Sequence, residues 1–164
     1  MKKLLLMLFM FAPLATFAQK FGHVNAQEII QAMPEFAKAR ADIEALTKTY
    51  EADLKSMQDE LQKKAEAYEK EQATLPANIK ERREKELQEM YQKIQQTYQD
   101  NQQALAKEQS ERMQAIQTKV LNAIQEVGQA GGYVYIMDIG GGIPYISTTL
   151  STDVTAEVKK KLGL

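Results

Sequence analysis

The residues that could carry chemistry are few. His23 is the sole histidine, and the chain has no cysteine. No carboxylate pair stands beside His23 at ligand spacing, so a metal site is not expected there. Gly140-Gly141-Gly142 could in principle cradle a phosphate. No Lys-Ser/Thr pair follows it, however, and the next segment reads as strand rather than helix, so a hairpin turn accounts for it better. There is no Gly-x-Ser-x-Gly elbow. The acidic residues interleave with basic ones on polar helix faces, where nothing would shift a pKa towards acid–base work. Catalysis, a metal and a cofactor are therefore not expected. Whatever the chain does should reside in its surfaces.

The elements that must present those surfaces are dominated by residues 35–127. This stretch contains no glycine and one proline, Pro76. It is rich in Ala, Gln, Glu, Lys, Leu and Met, which lose least on entering a helix. Two long helices folded back at Pro76 are predicted, with a tip near 73–80. At 1.5 Å per residue they would be about 58 Å (35–73) and about 76 Å (77–127) long. Apolar residues of the outbound helix recur at steps of three and four, through Phe36, Ile43, Tyr50, Met57, Leu61 and Tyr68. The return stripe runs through Leu87, Tyr91, Ile94, Tyr98, Leu105, Ile116 and Val120, with Gln102 and Gln109 on the same seam. Glu51–Lys55, Glu60–Lys64 and Glu66–Lys70 have the favourable i, i+4 orientation of a solvated face.

At the N-terminus Lys2 and Lys3 precede an apolar run, Leu4 to Phe11, and a tail of small residues ending Thr16-Phe17-Ala18. This is the pattern of a signal peptide cleaved after Ala18, too short for a membrane span. Removing Lys2 and Lys3 leaves 19 basic residues against 22 acidic ones, a net −3. That balance argues against nucleic-acid binding. An exported chain without cysteine must be stabilised by packing or by oligomerisation.

Residues 19–34 and 128–164 flank the rod and should form a small α/β body. Strands are predicted at 21–25, 133–137 and 143–147, with a short helix over 26–33 and another near the C-terminus. Gly128, Gly131 and Gly132 should stop the return helix. The fold class is thus mainly α with a small β body. A sheet of three short strands has two open edges and is marginal alone. Phe21, Val24, Val134, Ile136, Ile143 and Ile146 would supply the apolar side of a body shared between chains.

Tyr50, Met57, Tyr68, Met90, Tyr91 and Tyr98 are adaptable apolar groups on the rod. A two-helix rod cannot bury all of them, so they suit varied clients. Lys80, Arg82, Arg83 and Lys85 cluster near the tip, interleaved with Glu81, Glu84 and Glu86. The cluster reads as a solvated face or as a contact for anionic lipid headgroups at a membrane surface.

The layout resembles the Skp/OmpH family of periplasmic chaperones over nearly the whole mature chain. The marks are Phe21-Gly22-His23-Val24-Asn25 through Ile29-Ile30 to Met33-Pro34-Glu35, and Lys85-Glu86-Leu87-Gln88 after the tip. At the C-terminus they are Tyr133 to Asp138, Ile143 to Ser147 and Asp153 to Val158. The resemblance implies a homotrimer with a β body and helical arms enclosing a cavity. It also implies an ATP-independent holdase for unfolded outer-membrane β-barrel proteins. The alternative is a structural coiled coil, a spacer or adaptor of the cell envelope with one folded partner. A pull-down separates the two: many unfolded barrel proteins for a chaperone, one or two partners for an adaptor.

Overall fold

A computed structural model describes residues 19–164, so the expected signal peptide at 1–18 lies outside the described residues. The element order is β1 (Lys20–Val24), α1 (Ala26–Ala32), α2 (Pro34–Glu71), α3 (Ala77–Gly131), β2 (Tyr133–Asp138), a 3-10 turn (Ile139–Gly141), β3 (Ser151–Asp153) and α4 (Thr155–Leu162). The chain divides into two units, residues 28–121 and the remainder, residues 19–27 with 122–164.

In the first unit the predicted rod is present. Met33 is extended, with φ −73° and ψ 128°, because a following proline disfavours the helical region. Pro34 opens α2 at a position where its missing N–H costs nothing, and Glu35 places an acid in the first turn. At the tip Thr74 donates its N–H to Glu71 O at 2.9 Å, and the Pro76 carbonyl accepts from Ile79 and Lys80 at 3.0 Å each. Helix α3 therefore starts one residue after the proline.

Polar ties between α2 and α3 fix an antiparallel register. Arg112 Nη1 donates to Asp42 Oδ2 at 2.6 Å, and Lys64 Nζ to Glu86 Oε1 at 2.5 Å. Lys119 donates to Glu35, and the Tyr68 hydroxyl to Glu84. Each pair is centred within about one residue of Pro76, as a hairpin of equal pitch requires. Ile94, Ile116 and Val120 are buried on α3, whereas α2 has no buried residue. Of the three expected i, i+4 pairs, Glu60–Lys64 forms at 3.5 Å. Lys55 turns instead to Asp59, and Glu66 accepts from Gln62.

The hydrogen bond from Lys119 holds the Glu35 carboxyl below the usual glutamate range, and Lys64 does the same for Glu86. A depressed carboxyl pKa contributes stability that is full above the unfolded value and is lost as pH falls through the folded one. Helical circular dichroism of the rod should hold from about pH 7 to pH 5 and weaken below about pH 4. Glu35→Gln with Glu86→Gln should flatten that acid limb.

The second unit contains a three-stranded sheet in the order β2-β1-β3, with every pairing parallel. The N-terminal strand is central. Phe21 lies opposite Tyr135 and Ser151, and His23 opposite Met137 and Asp153. Two expectations are corrected here. Residues 143–147 are not a strand; the third strand is Ser151–Asp153. Pro144 lacks a donor, and the Ser147 hydroxyl accepts the N–H of Leu150 at 3.1 Å while its carbonyl accepts that of Ser151 at 3.2 Å. Local side-chain bonding has displaced the ladder. Nor do the three glycines make a hairpin turn. β2 and β3 run the same way on either side of β1, so their connection must cross over. It begins with the 3-10 turn, whose Gly140 N–H is accepted by Asp138 Oδ1 at 3.0 Å, and Gly142 then adopts φ 80°.

Helix α3 also runs past Gly128 to Gly131. Gly128 serves close packing: a Cβ there would stand 3.3 Å from Ile136 Cδ1. The stop is Gly132, at φ 65°. Val24, Ala123, Val154 and Val158 are the buried apolar residues of this unit. Gly163, at φ 76°, ends α4.

Candidate functional site

Among the described residues, no group of three or more His, Cys, Asp or Glu side chains could hold a metal. No described helix is long and apolar enough to cross a membrane. His23, the residue with most chemical scope, sits half-buried on the central strand. Its Nδ1 lies 2.8 Å from Ser151 Oγ. Asp153, its register partner, accepts the Thr155 N–H at 2.8 Å. Burial opposes charge on Asp153, yet the Thr155 bonds, with help from His23, leave its pKa below the usual aspartate range. Asp153 is thus committed to starting α4, and the trio ties β1 to β3.

The surfaces carry more. On the hairpin, Tyr50, Met57, Tyr68 and Met90 are half-buried, whereas Tyr91 and Tyr98 are each 55% exposed. Tyr91 and Tyr98 are seven residues apart, two turns on one face of α3. The Tyr68 hydroxyl is spent on Glu84, which raises its pKa by stabilising the phenol. Near the base of the hairpin an open groove of about 460 Å³ is lined by Phe36, Ile43, Met113 and Ile116, with Arg40 and Glu44 at its edge. The periodicity that located the seam did not reveal this groove. Ala39 and Met113 are both among its lining residues.

In the sheet unit, alternation along β1 sends Gly22 and Val24 to one face and Phe21 and His23 to the other. Ile136 fills the first face, close against Gly22 and Gly128. On the second face Phe21 and Tyr135 stack with centroids 4.8 Å apart at 30°. A hollow of about 250 Å³ lies over this face, bordered by Met137 and by Ile143, Tyr145, Ile146 and Leu150 of the crossover loop. Tyr145 is 80% and Leu150 76% exposed, and Tyr135, Met137 and Val134 are also exposed. Val134 falls at the irregularity where the β1–β2 register shifts. Of the six residues assigned to the body's apolar side, Val24 alone is buried in the single chain.

At the tip, Arg83 pairs with Glu86 at 3.9 Å and Lys85 with Glu89 at 3.8 Å. Lys80 is half-buried and Arg82 exposed.

This combination, a doubled helical rod with a small all-parallel sheet whose central strand comes first in the chain, has known counterparts. The model of the family described as outer membrane protein (OmpH-like) matches residues 20–162. The chain belongs to the OmpH-like family. Among relatives of this OmpH-like chain is the chaperone protein Skp of Pectobacterium atrosepticum. It is 24% identical over 145 residues, covering 88% of this chain and 86% of that one. The chaperone protein Skp of Yersinia enterocolitica is 26% identical over 145 residues, covering 88% and 87%. The crystal structure of an OmpH-like protein from Caulobacter crescentus CB15 superposes with a TM-score of 0.76 at 16% identity, over 88% of this chain and 83% of that one. That likeness speaks for the fold.

Proposed function

We propose that this OmpH-like chain is an ATP-independent periplasmic holdase that binds unfolded outer-membrane β-barrel proteins. In this reading three copies join through their sheets, and their helical hairpins enclose the client. The observation that carries it is the exposure of Tyr91 and Tyr98, at 55% each, on a hairpin whose outbound helix buries no residue. Such a rod has apolar side chains to spare and no globular core to spend them on. Kinship with two Skp chaperones supports the same reading. Tyr50, Met57, Tyr68 and Met90, half-buried along the same hairpin, would join when the helices part.

The sheet supports the assembly. It has two open edges, and one face is covered only in part by the crossover loop. Removal of the first 18 residues by export would leave β1 near the new N-terminus, free to take its central place. With a net −3 per mature chain, capture relies on apolar and hydrogen-bonded contact rather than on charge. Tip contact with anionic headgroups would fall mainly to Lys80 and Arg82, since Arg83 and Lys85 already face Glu86 and Glu89.

The test is dilution of a urea-unfolded outer-membrane barrel protein into residues 19–164, followed by light scattering. Aggregation should be suppressed near one trimer per client, without nucleotide. Full aggregation at severalfold excess would remove the reading.

A further inference from the structure

Helix α3 carries a second stripe, beside the one that meets α2. Gln88, Gln92, Gln95, Gln99 and Gln102 recur at steps of four and three, and Gln109 continues the row one heptad on. At 3.6 residues per turn the row keeps to one side of the helix for about 44 Å, out to Gln117. Between residues 88 and 117 no charged residue enters an arc of about 140° centred on this row. Glu89, Lys93, Asp100, Lys107 and Glu111 all project from the opposite side. Tyr91 and Tyr98 border the row on the side of the seam.

These glutamines are exposed, Gln102 and Gln109 included, although the spacing places those two on the seam, and none of the carboxamides has a hydrogen-bond partner within the described chain. Gln96, outside the row, donates to Asp100. Ala106 interrupts the row, and there the helix face dips into an open groove of about 640 Å³ that Gln109, Ser110 and Met113 border. A carboxamide offers two N–H donors and a carbonyl acceptor, the same bonding groups as a peptide unit. A row of them can satisfy an unpaired backbone without regard to its side chains. A charged row would instead select clients by sign.

We propose that this glutamine row is where the extended backbone of an unfolded client is held, through carboxamide-to-peptide hydrogen bonds, with Tyr91 and Tyr98 taking its side chains. The proposal rests on the holdase reading and names the surface that does the holding. The spacing also sets the kind of grip. Successive glutamines advance about 5.3 Å along the helix, whereas backbone groups on one edge of an extended strand recur about every 6.7 Å. The two repeats fall out of step within a few residues. A few bonds form at a time, at shifting positions, so the client is retained without a fixed register and can be released without an energy source.

The experiment uses residues 19–164 and a urea-unfolded outer-membrane porin. First, the unsubstituted chain is tested for suppression of porin aggregation; failure there removes the holdase reading itself. Then a photo-crosslinking amino acid replaces Gln95 or Gln102, and in control proteins Lys93 or Asp100. Porin adducts should form at the glutamine positions and be several-fold fewer at the controls. Equal adducts on both sides would overturn the proposal, and so would adducts joining α3 to α3 of a second copy. Finally, the combined substitution Gln92→Glu, Gln95→Glu, Gln99→Glu and Gln102→Glu keeps helix propensity while removing donors and adding charge. It should weaken porin retention about tenfold, as loss of one or two net hydrogen bonds would. Unchanged retention would also overturn the proposal, and the adduct pattern decides the matter if that variant does not fold.

Discussion

Val158→Asp should unfold the sheet unit while leaving the helical hairpin standing. Val158 and Val154 are fully buried, and Val24 of the central strand nearly so. No buried side-chain nitrogen or oxygen among the described residues lacks a partner. An aspartate at 158 would be the first, at a position with no exposed surface. Burying an unpaired carboxyl costs on the order of several kcal/mol even when it takes up a proton. That is a large share of the about 5–15 kcal/mol that holds a small domain together. Val158→Ala should cost only about 1–3 kcal/mol, by removing methyl groups. The measurement is amide hydrogen exchange. Protection of Lys20–Val24 should vanish in the aspartate variant and persist in the alanine variant, while helical circular dichroism stays high in both. Intact protection of β1 with aspartate at 158 would show that this unit draws its stability from elsewhere.

The second large effect concerns assembly. Met137→Glu with Tyr145→Glu should reduce the solution mass to that of a single chain. Both side chains are already close to half or more exposed, at 46% and 80%, so their replacement costs the lone protomer little. If they are buried between copies, each contributes about 1.5–3 kcal/mol per chain, and the new carboxylates would face one another around the symmetry axis. Assembly should weaken at least about a hundredfold. On the proposed reading, holdase activity should fall with it, since separate chains could not enclose a client. Sedimentation decides the matter. An unchanged mass would mean that the face bordered by Met137 and Tyr145 is not where copies meet.

The rod was legible because its punctuation is local. Pro34, Pro76 and the glycines after 127 each act within a residue or two, so the turn at Pro76 and the start at Ala77 could be read directly. Gly128 misled because a glycine that allows close approach looks, in sequence, the same as one that ends a helix. The sheet was less legible. Ser151-Thr152-Asp153 contains no apolar residue and gives no strand signal, yet it pairs with β1. Ile143 to Ser147 gives that signal and is irregular: Pro144 offers no N–H, and the Ser147 carbonyl accepts from Ser151, four residues on, rather than from a neighbouring strand. Parallel pairing leaves no mark on either partner when more than a hundred residues separate them. The ties across the hairpin are legible once Pro76 is taken as the approximate mirror: Glu35 and Lys119, or Asp42 and Arg112, carry opposite charge and are centred one residue beyond it. Nothing in periodicity alone separates a glutamine that fills a seam from one that waits on a flank.

The place of β1 has a kinetic consequence. Lys20 pairs with Tyr133 and Phe21 with Ser151, so the middle strand is made first and its neighbours last. It therefore emerges more than a hundred residues ahead of its first partner. The hairpin needs only nearby contacts and can form in that interval, whereas the sheet must close a loop longer than the whole rod. Order of birth and order of folding are therefore opposed at the two ends of the chain. A molecule truncated before Tyr133 would keep its helices and have no sheet to complete.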